Sequence, residues 1–251
     1  MCAAAACGRV DFDPASRASD AGAREDTAID TPAAAPIIFA TDATSLYTID
    51  PVSLAETRLV TLFRADSMVV SPSDVAVSGT GTVLVFDELL PALLQVDTAT
   101  GECTPVTLSA GVSMYGATYV PPGVVGPSET LLGAGSNKNL YTIEPTTGMM
   151  TLIGAMGVQP SGDIVWTGSE LVMTVNGTPN DQLYRIDPVT AQATPIGDTG
   201  RVDIYGLARV GTTIFGTPET NDIVTVDPTT GAATTVANDT VGWSGASAPD
   251  G

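Results

Sequence analysis

One short phrase recurs five times along this chain: LYTIDPVSL from Leu46, LLQVDTATG from Leu93, LYTIEPTTG from Leu140, LYRIDPVTA from Leu183 and IVTVDPTTG from Ile223. Its acidic members, Asp50, Asp97, Glu144, Asp187 and Asp227, stand 47, 47, 43 and 40 residues apart. A fixed period of about 40 to 50 residues with strand-like content is the spacing of one propeller blade per repeat. The alternation in Leu-Tyr-x-Ile offers apolar groups to both faces of a strand, as a blade packed between two neighbours requires. Asp-Pro-x-Thr-Gly then supplies a tight turn. Proline fixes φ, glycine permits positive φ, and the acid side chain caps the turn backbone. The five acids are therefore turn formers, spread over five turns on the lower face of a ring.

Two strand-like pieces precede the phrase and one follows it. In the second repeat the four are residues 74–77, 82–86, 93–97 and 103–108. The third, fourth and fifth repeats follow the same plan, so each unit reads as a four-stranded antiparallel blade. The first repeat lacks an innermost strand. At the other end of the chain, Trp243-Ser244-Gly245-Ala246-Ser247 aligns with Tyr205–Arg209 and with Tyr115–Tyr119. The C-terminal strand is thus expected to complete the first blade, which closes the ring and removes its free edges. The expectation is an all-β, five-bladed β-propeller spanning residues 36–251.

Composition agrees and excludes much. Glycine (26) and proline (18) are abundant, charged residues make up only 15%, and no apolar run approaches a membrane-spanning helix. With no histidine, a His-based triad, a His-liganded zinc and a His general base are all absent. Cys2, Cys7 and Cys103 are too few for a disulfide framework, and Cys103 reads as a buried or half-buried free thiol. The net charge of −19 repels phosphate backbones, which excludes nucleic acid as a partner.

Residues 8–35 are rich in Ala, Asp, Ser and Arg and nearly free of large apolar groups, so they read as a disordered spacer. Ahead of them, Ala4-Ala5-Ala6 stands before Cys7 and Gly8. This resembles the end of a bacterial lipoprotein signal peptide, with residues 1–7 as its remnant. The pattern departs from that family in having Ala4 where leucine is usual and only six residues before the cysteine. The resemblance implies lipidation at Cys7, a place in the bacterial cell envelope (periplasmic or surface-exposed), and membrane contact only through that lipid.

The repeated phrase also resembles the repeats of propellers that bind pyrroloquinoline quinone, but no tryptophan follows the turn here. It is more similar to uncharacterised exported bacterial propellers with LYxIDPxTG repeats, over residues 36–248. That likeness implies a fold and a compartment and no chemistry.

Residues that break the repeat are the ones to search for a site. The first position of each inner strand reads Ser73, Tyr115, Gly162, Tyr205 and Trp243, and the next reads Asp74, Gly116, Asp163, Gly206 and Ser244. Aromatic faces and carboxylates at a channel mouth suit a small polar ligand, a glycan or a protein segment. The candidate ligand-binding set is Asp74, Tyr115, Asp163, Arg201, Tyr205 and Trp243, with Arg64 as a second rare cation. Packing between blades is the competing role for the aromatics, and bonding to backbone amides for the acids. The expected function is a non-catalytic, monomeric binding scaffold. The competing function is a carbohydrate hydrolase using Asp74 and Asp163 as its carboxylate pair. No catalytic residue and no cofactor is assigned. Asp42, Asp87, Glu88, Asn137, Asn180, Asp181, Asn221 and Asp222 offer oxygen donors that would suit Ca²⁺, and equally the turns that precede strands.

Overall fold

The computed structural model describes residues 36–66, 68–238 and 240–249. The expected lipidation site at Cys7 and the spacer at 8–35 lie outside the described residues. Five four-stranded antiparallel sheets form the blades of a ring, and no described residue is helical. The inner strands are Gly245–Ser247 in blade 1, Pro72–Val77 in blade 2, Met114–Val120 in blade 3, Pro160–Trp166 in blade 4 and Ile204–Val210 in blade 5. Each packs on the next, and Gly245–Ser247 packs on both Ile204–Val210 and Pro72–Val77, so the circle is closed. Within blade 1 the C-terminal strand pairs with Ile38–Thr41 through Phe39↔Ser247, Ala40↔Ala246 and Thr41↔Gly245. The first blade is completed by the end of the chain, as its missing strand requires.

The repeated phrase builds the third strand of every blade and the turn after it. Asp50 Oδ1 accepts the Val52 and Ser53 amides at 2.8 Å each, and Asp187 Oδ1 accepts those of Val189 and Thr190 at 2.8 and 2.9 Å. These bonds hold the Asp50 and Asp187 carboxyls below their ordinary range. The residue ending the turn has positive φ in every blade: Leu54, Gly101, Gly148, Ala191 and Gly231. At Gly101 two demands coincide, because φ is +84° and a Cβ would lie 2.1 Å from the Thr61 carbonyl oxygen of blade 1. The acids are turn formers, one per blade, at the end of the ring away from the inner-strand starts.

The core is divided among the five junctions between blades. One apolar cluster joins blades 1 and 2 through Leu46, Val75, Val85 and Leu94, and another joins blades 3 and 4 through Leu132, Leu140, Trp166 and Met173. Inner strands are buried on both faces, whereas outer strands such as Glu56–Thr61 are almost wholly exposed. Cys103 is 2% exposed in the junction of blades 1 and 2, and burial pushes its thiol up to about 11.

Candidate functional site at the channel mouth

At the start of blades 2 to 5, the inner strand slips register against its partner. Pairing jumps from Pro72 to Asp74, from Met114 to Gly116, from Pro160 to Ile164 and from Ile204 to Gly206. Such β-bulges leave residues unpaired and re-aim their side chains. The bypassed residues include Ser73, Tyr115, Gly162 and Tyr205, which are the mouth positions read from the repeat. They line a cavity of about 410 Å³ together with Pro72, Glu88, Pro160, Ser161, Asn176, Trp243 and Ser244.

The fifth member of that ring is Ser244, where the repeat alignment placed Trp243. Thr41↔Gly245 is the pairing equivalent to Phe86↔Asp74 and Ala134↔Gly116, so blade 1 is shifted by one residue. The cause is steric. A Cβ on Gly245 would lie 2.7 Å from both the Cα and Oδ1 of Asp74, so only glycine fits against blade 2 there. Trp243 falls one residue earlier. It is 3% exposed and packs edge-on against Tyr47, with ring centroids 5.3 Å apart, so it walls the cavity from the side.

Asp74 and Asp163 occupy the next ring of positions and lie beneath the mouth. Both are 0% exposed and neither lines the cavity. The ring is too narrow here for side chains to share it freely. A Cβ on Gly116 would stand 2.7 Å from the Asp163 Cα, and one on Gly206 would stand 2.4 Å from the Ala246 nitrogen. The two carboxyls instead join neighbouring blades. Asp74 Oδ2 accepts the Ala117 amide of blade 3 at 2.6 Å, and Asp163 Oδ2 accepts the Leu207 amide of blade 5 at 2.7 Å. Asp163 Oδ1 accepts the Ile164 amide at 2.6 Å, while Asp74 Oδ1 has no hydrogen bond of good geometry.

Burial pushes both carboxyls well above their ordinary values, and for Asp74 the charge of Asp163 adds to it. They lie within hydrogen-bond reach of each other. The donors decide which keeps a proton. Asp163 has an amide on each oxygen and holds the negative charge; Asp74, with its Oδ1 unpaired, keeps the proton. A glycosidase needs both carboxyls beside the scissile bond, in contact with substrate and water. This pair meets neither demand, because it is sealed in the axis and bonded to backbone.

Arg201 also stands apart from the cavity. Its guanidinium donates to Thr235 Oγ1 at 2.6 Å and to the Gly200 carbonyl at 3.2 Å. Arg64 pairs with Asp66 at 2.7 Å. Of the expected set, the mouth brings together Tyr115, Tyr205 and Trp243. The repeat did not mark Ser161 or Asn176 as mouth residues. Ser161 is brought there by a larger bulge in blade 4, and Asn176 by its position just after the second strand, beside the Pro160 carbonyl it bonds.

Several of the oxygen donors considered for Ca²⁺ are bonded close by in the chain. Asp42 Oδ1 accepts the Thr44 and Ser45 amides at 2.7 Å each, Asp87 Oδ1 accepts the Leu89 amide at 2.9 Å, and Asn137 donates to the Tyr141 hydroxyl at 2.7 Å. No three His, Cys, Asp or Glu side chains are grouped to hold a metal ion among the described residues.

No protein-family model matches the chain, and no curated protein matches it in sequence. Solved structures do resemble it. A chain in the crystal structure of a nidogen/laminin complex superposes with a TM-score of 0.57 at 10% identity, covering 85% of this chain and 98% of that one. The exo-β-1,3-galactanase of Phanerochaete chrysosporium, crystallised with β-1,3-galactotriose, superposes with a TM-score of 0.53 at 14% identity. That match covers 78% of this chain and 56% of the galactanase. At such identities the likeness is one of fold alone.

Proposed function

We propose that this propeller is a non-catalytic binding scaffold that receives its partner at the mouth of the central channel. One observation carries the reading. The residues that depart from fivefold repetition, Tyr115 and Tyr205 above all, are lifted out of the sheet by bulges into one cavity of about 410 Å³. That volume lies within the usual range for ligand pockets. A core-packing role would not leave Tyr115 37% exposed. Glu88 is the carboxylate at that cavity among the described residues, so the mouth lacks the pair that sugar hydrolysis requires.

Small polar ligands, glycans and proteins are the candidate partners. The likeness to a chain of a protein–protein complex makes a protein the first class to test. We place the protein in the bacterial envelope, tethered by a lipid on Cys7. Support comes from the resemblance of residues 1–8 to a lipoprotein signal end and from the acidic body, with 22 acids against six bases in residues 36–251. Metabolic labelling with a fatty-acid analogue should mark the chain and not Cys7→Ser. The binding reading is tested by a thermal-shift screen of glycans, metabolites and peptides. A hit that disappears in Tyr115→Ala and Tyr205→Ala supports it, and one that survives both refutes it.

A further inference from the structure

We propose that the mouth cavity receives a cationic side chain, a lysine ammonium or arginine guanidinium presented on a loop of a partner protein. This rests on the reading of the mouth as the binding site and names the chemistry it takes. The charge of the wall favours it. Glu88 lines the cavity, and no lysine or arginine does. Around Tyr205, the carboxylates of Asp203, Glu219, Asp181 and Glu88 all contribute a negative field, which adds to burial in pushing its phenol up. A ligand carboxylate or phosphate would enter that field with no cation to meet it. Arg201 and Arg64 line no part of the cavity; Arg201 donates to Thr235 and the Gly200 carbonyl, and Arg64 pairs with Asp66.

The aromatic arrangement points the same way. Tyr115 and Tyr205 rise from equivalent bulges in blades 3 and 5, on either side of Gly162 in blade 4. A Cβ on Gly162 would collide with the Ile204 carbonyl at 2.0 Å, so the position between them carries no side chain of its own. Tyrosine rings and a carboxylate lining one cavity suit ammonium and guanidinium groups. Polar capacity is also left over at this place. Among the described residues neither tyrosine hydroxyl has a hydrogen-bond partner, and the Glu88 carboxylate has only the Ser71 hydroxyl at 3.5 Å. By contrast Asp181 is already engaged, by Ser161 at 2.7 Å and the Ile204 amide at 2.9 Å. A net charge of −19 would steer basic segments toward the surface and slow their loss at low salt.

The test is a calorimetric and NMR titration of the whole chain with capped pentapeptides in which arginine, lysine, Nε-acetyl-lysine or glutamate is flanked by glycines. The arginine and lysine peptides should bind and compete with one another; the acetylated and glutamate peptides should not. Tyr205→Ala should weaken binding roughly three- to thirtyfold while Tyr205→Phe retains it, since the ring face attracts the cation. Glu88→Gln should weaken it roughly two- to fivefold. Asp97→Asn, in a turn on the opposite face, should leave it unchanged, and melting curves verify that every variant is folded. Equal binding of lysine and acetyl-lysine peptides would overturn the assignment, as would a loss in Asp97→Asn matching that in Glu88→Gln. If basic peptides fail while a glycan or neutral metabolite binds in a Tyr205-dependent way, the cationic assignment falls and the mouth remains a binding site. If no probe of any class responds to Tyr115 and Tyr205 substitution, both fall.

Discussion

Replacing Asp74 by asparagine should reduce a pH dependence of stability that the axial carboxyl pair creates. Both carboxyls are fully buried and their folded-state pKa values are raised, so the native protein keeps a proton that the unfolded chain releases. Stability from that proton is fully present below the ordinary carboxyl pKa of about 4 and is lost as pH rises through the raised folded value. Within that window each proton retained makes stability fall by about 1.4 kcal/mol per pH unit. In a domain of this size that corresponds to about 3–5 °C in Tm per pH unit.

An asparagine at this position would mimic the protonated carboxyl. Its oxygen can accept the Ala117 amide, so the slope should fall, leaving only what burial of Asp163 contributes, at little cost in stability near pH 4. Asp163→Asn differs, because both oxygens of Asp163 accept backbone amides, from Ile164 and Leu207. One amide would then face an NH₂ group, costing about 1–3 kcal/mol at every pH. The assay is urea unfolding of the three proteins from about pH 4 to about pH 9, a span that starts at the ordinary carboxyl pKa. Exposed turn acids with lowered pKa values, such as Asp50 and Asp187, titrate alike in all three and cancel in the differences. A wild-type slope persisting unchanged in Asp74→Asn would refute the placement of the proton. Equal destabilisation by the two substitutions would refute the asymmetry of the donors.

Gly245→Ala should destabilise severely or prevent folding, because its Cβ would meet Asp74 at 2.7 Å, whereas Ser244→Ala should cost about 1 kcal/mol for its hydroxyl bonds to Thr41; denaturant melts of both would test the one-residue shift in blade 1. Gly101→Ala should cost about 2–4 kcal/mol, since it forces an L-residue into positive φ and against the Thr61 carbonyl; an unchanged urea midpoint would contradict this. Cys103, buried and with its thiol pushed up to about 11, should react with a disulfide reagent near neutral pH only on the timescale of unfolding; rapid reaction of the native protein would show an open junction between blades 1 and 2. Excess EGTA should leave Tm unchanged, because no three His, Cys, Asp or Glu side chains are grouped to hold a metal ion among the described residues; a drop of several degrees would reveal a bound calcium ion.

The repeat was legible because its information is local. A turn such as Asp187–Ala191 is specified by five adjacent residues, and the alternation before it specifies which groups face each neighbouring blade. From those elements the blade count and the return of the C-terminal strand both follow. Part of the cavity lining was legible too, because the column Ser73, Tyr115, Gly162, Tyr205 and Trp243 varies from blade to blade.

Depth was hidden. A β-bulge changes which way a residue points without any fixed signature in the residues themselves, and four bulges separate the mouth positions from the ring below them. In sequence Tyr115 and Asp163 read as companions on one surface, yet the narrowing of the ring leaves one partly in solvent and seals the other against backbone amides. The same narrowing selects Gly245 over Ser244 at the contact with Asp74 and so moves Trp243 from the mouth column to the wall. The blades, their number and the closure of the ring are thus written in neighbouring residues and can be read along the chain. Which side chains the closed ring leaves open to a partner was set by folding alone, because it depends on distances between inner strands that are far apart in sequence and meet only at the axis.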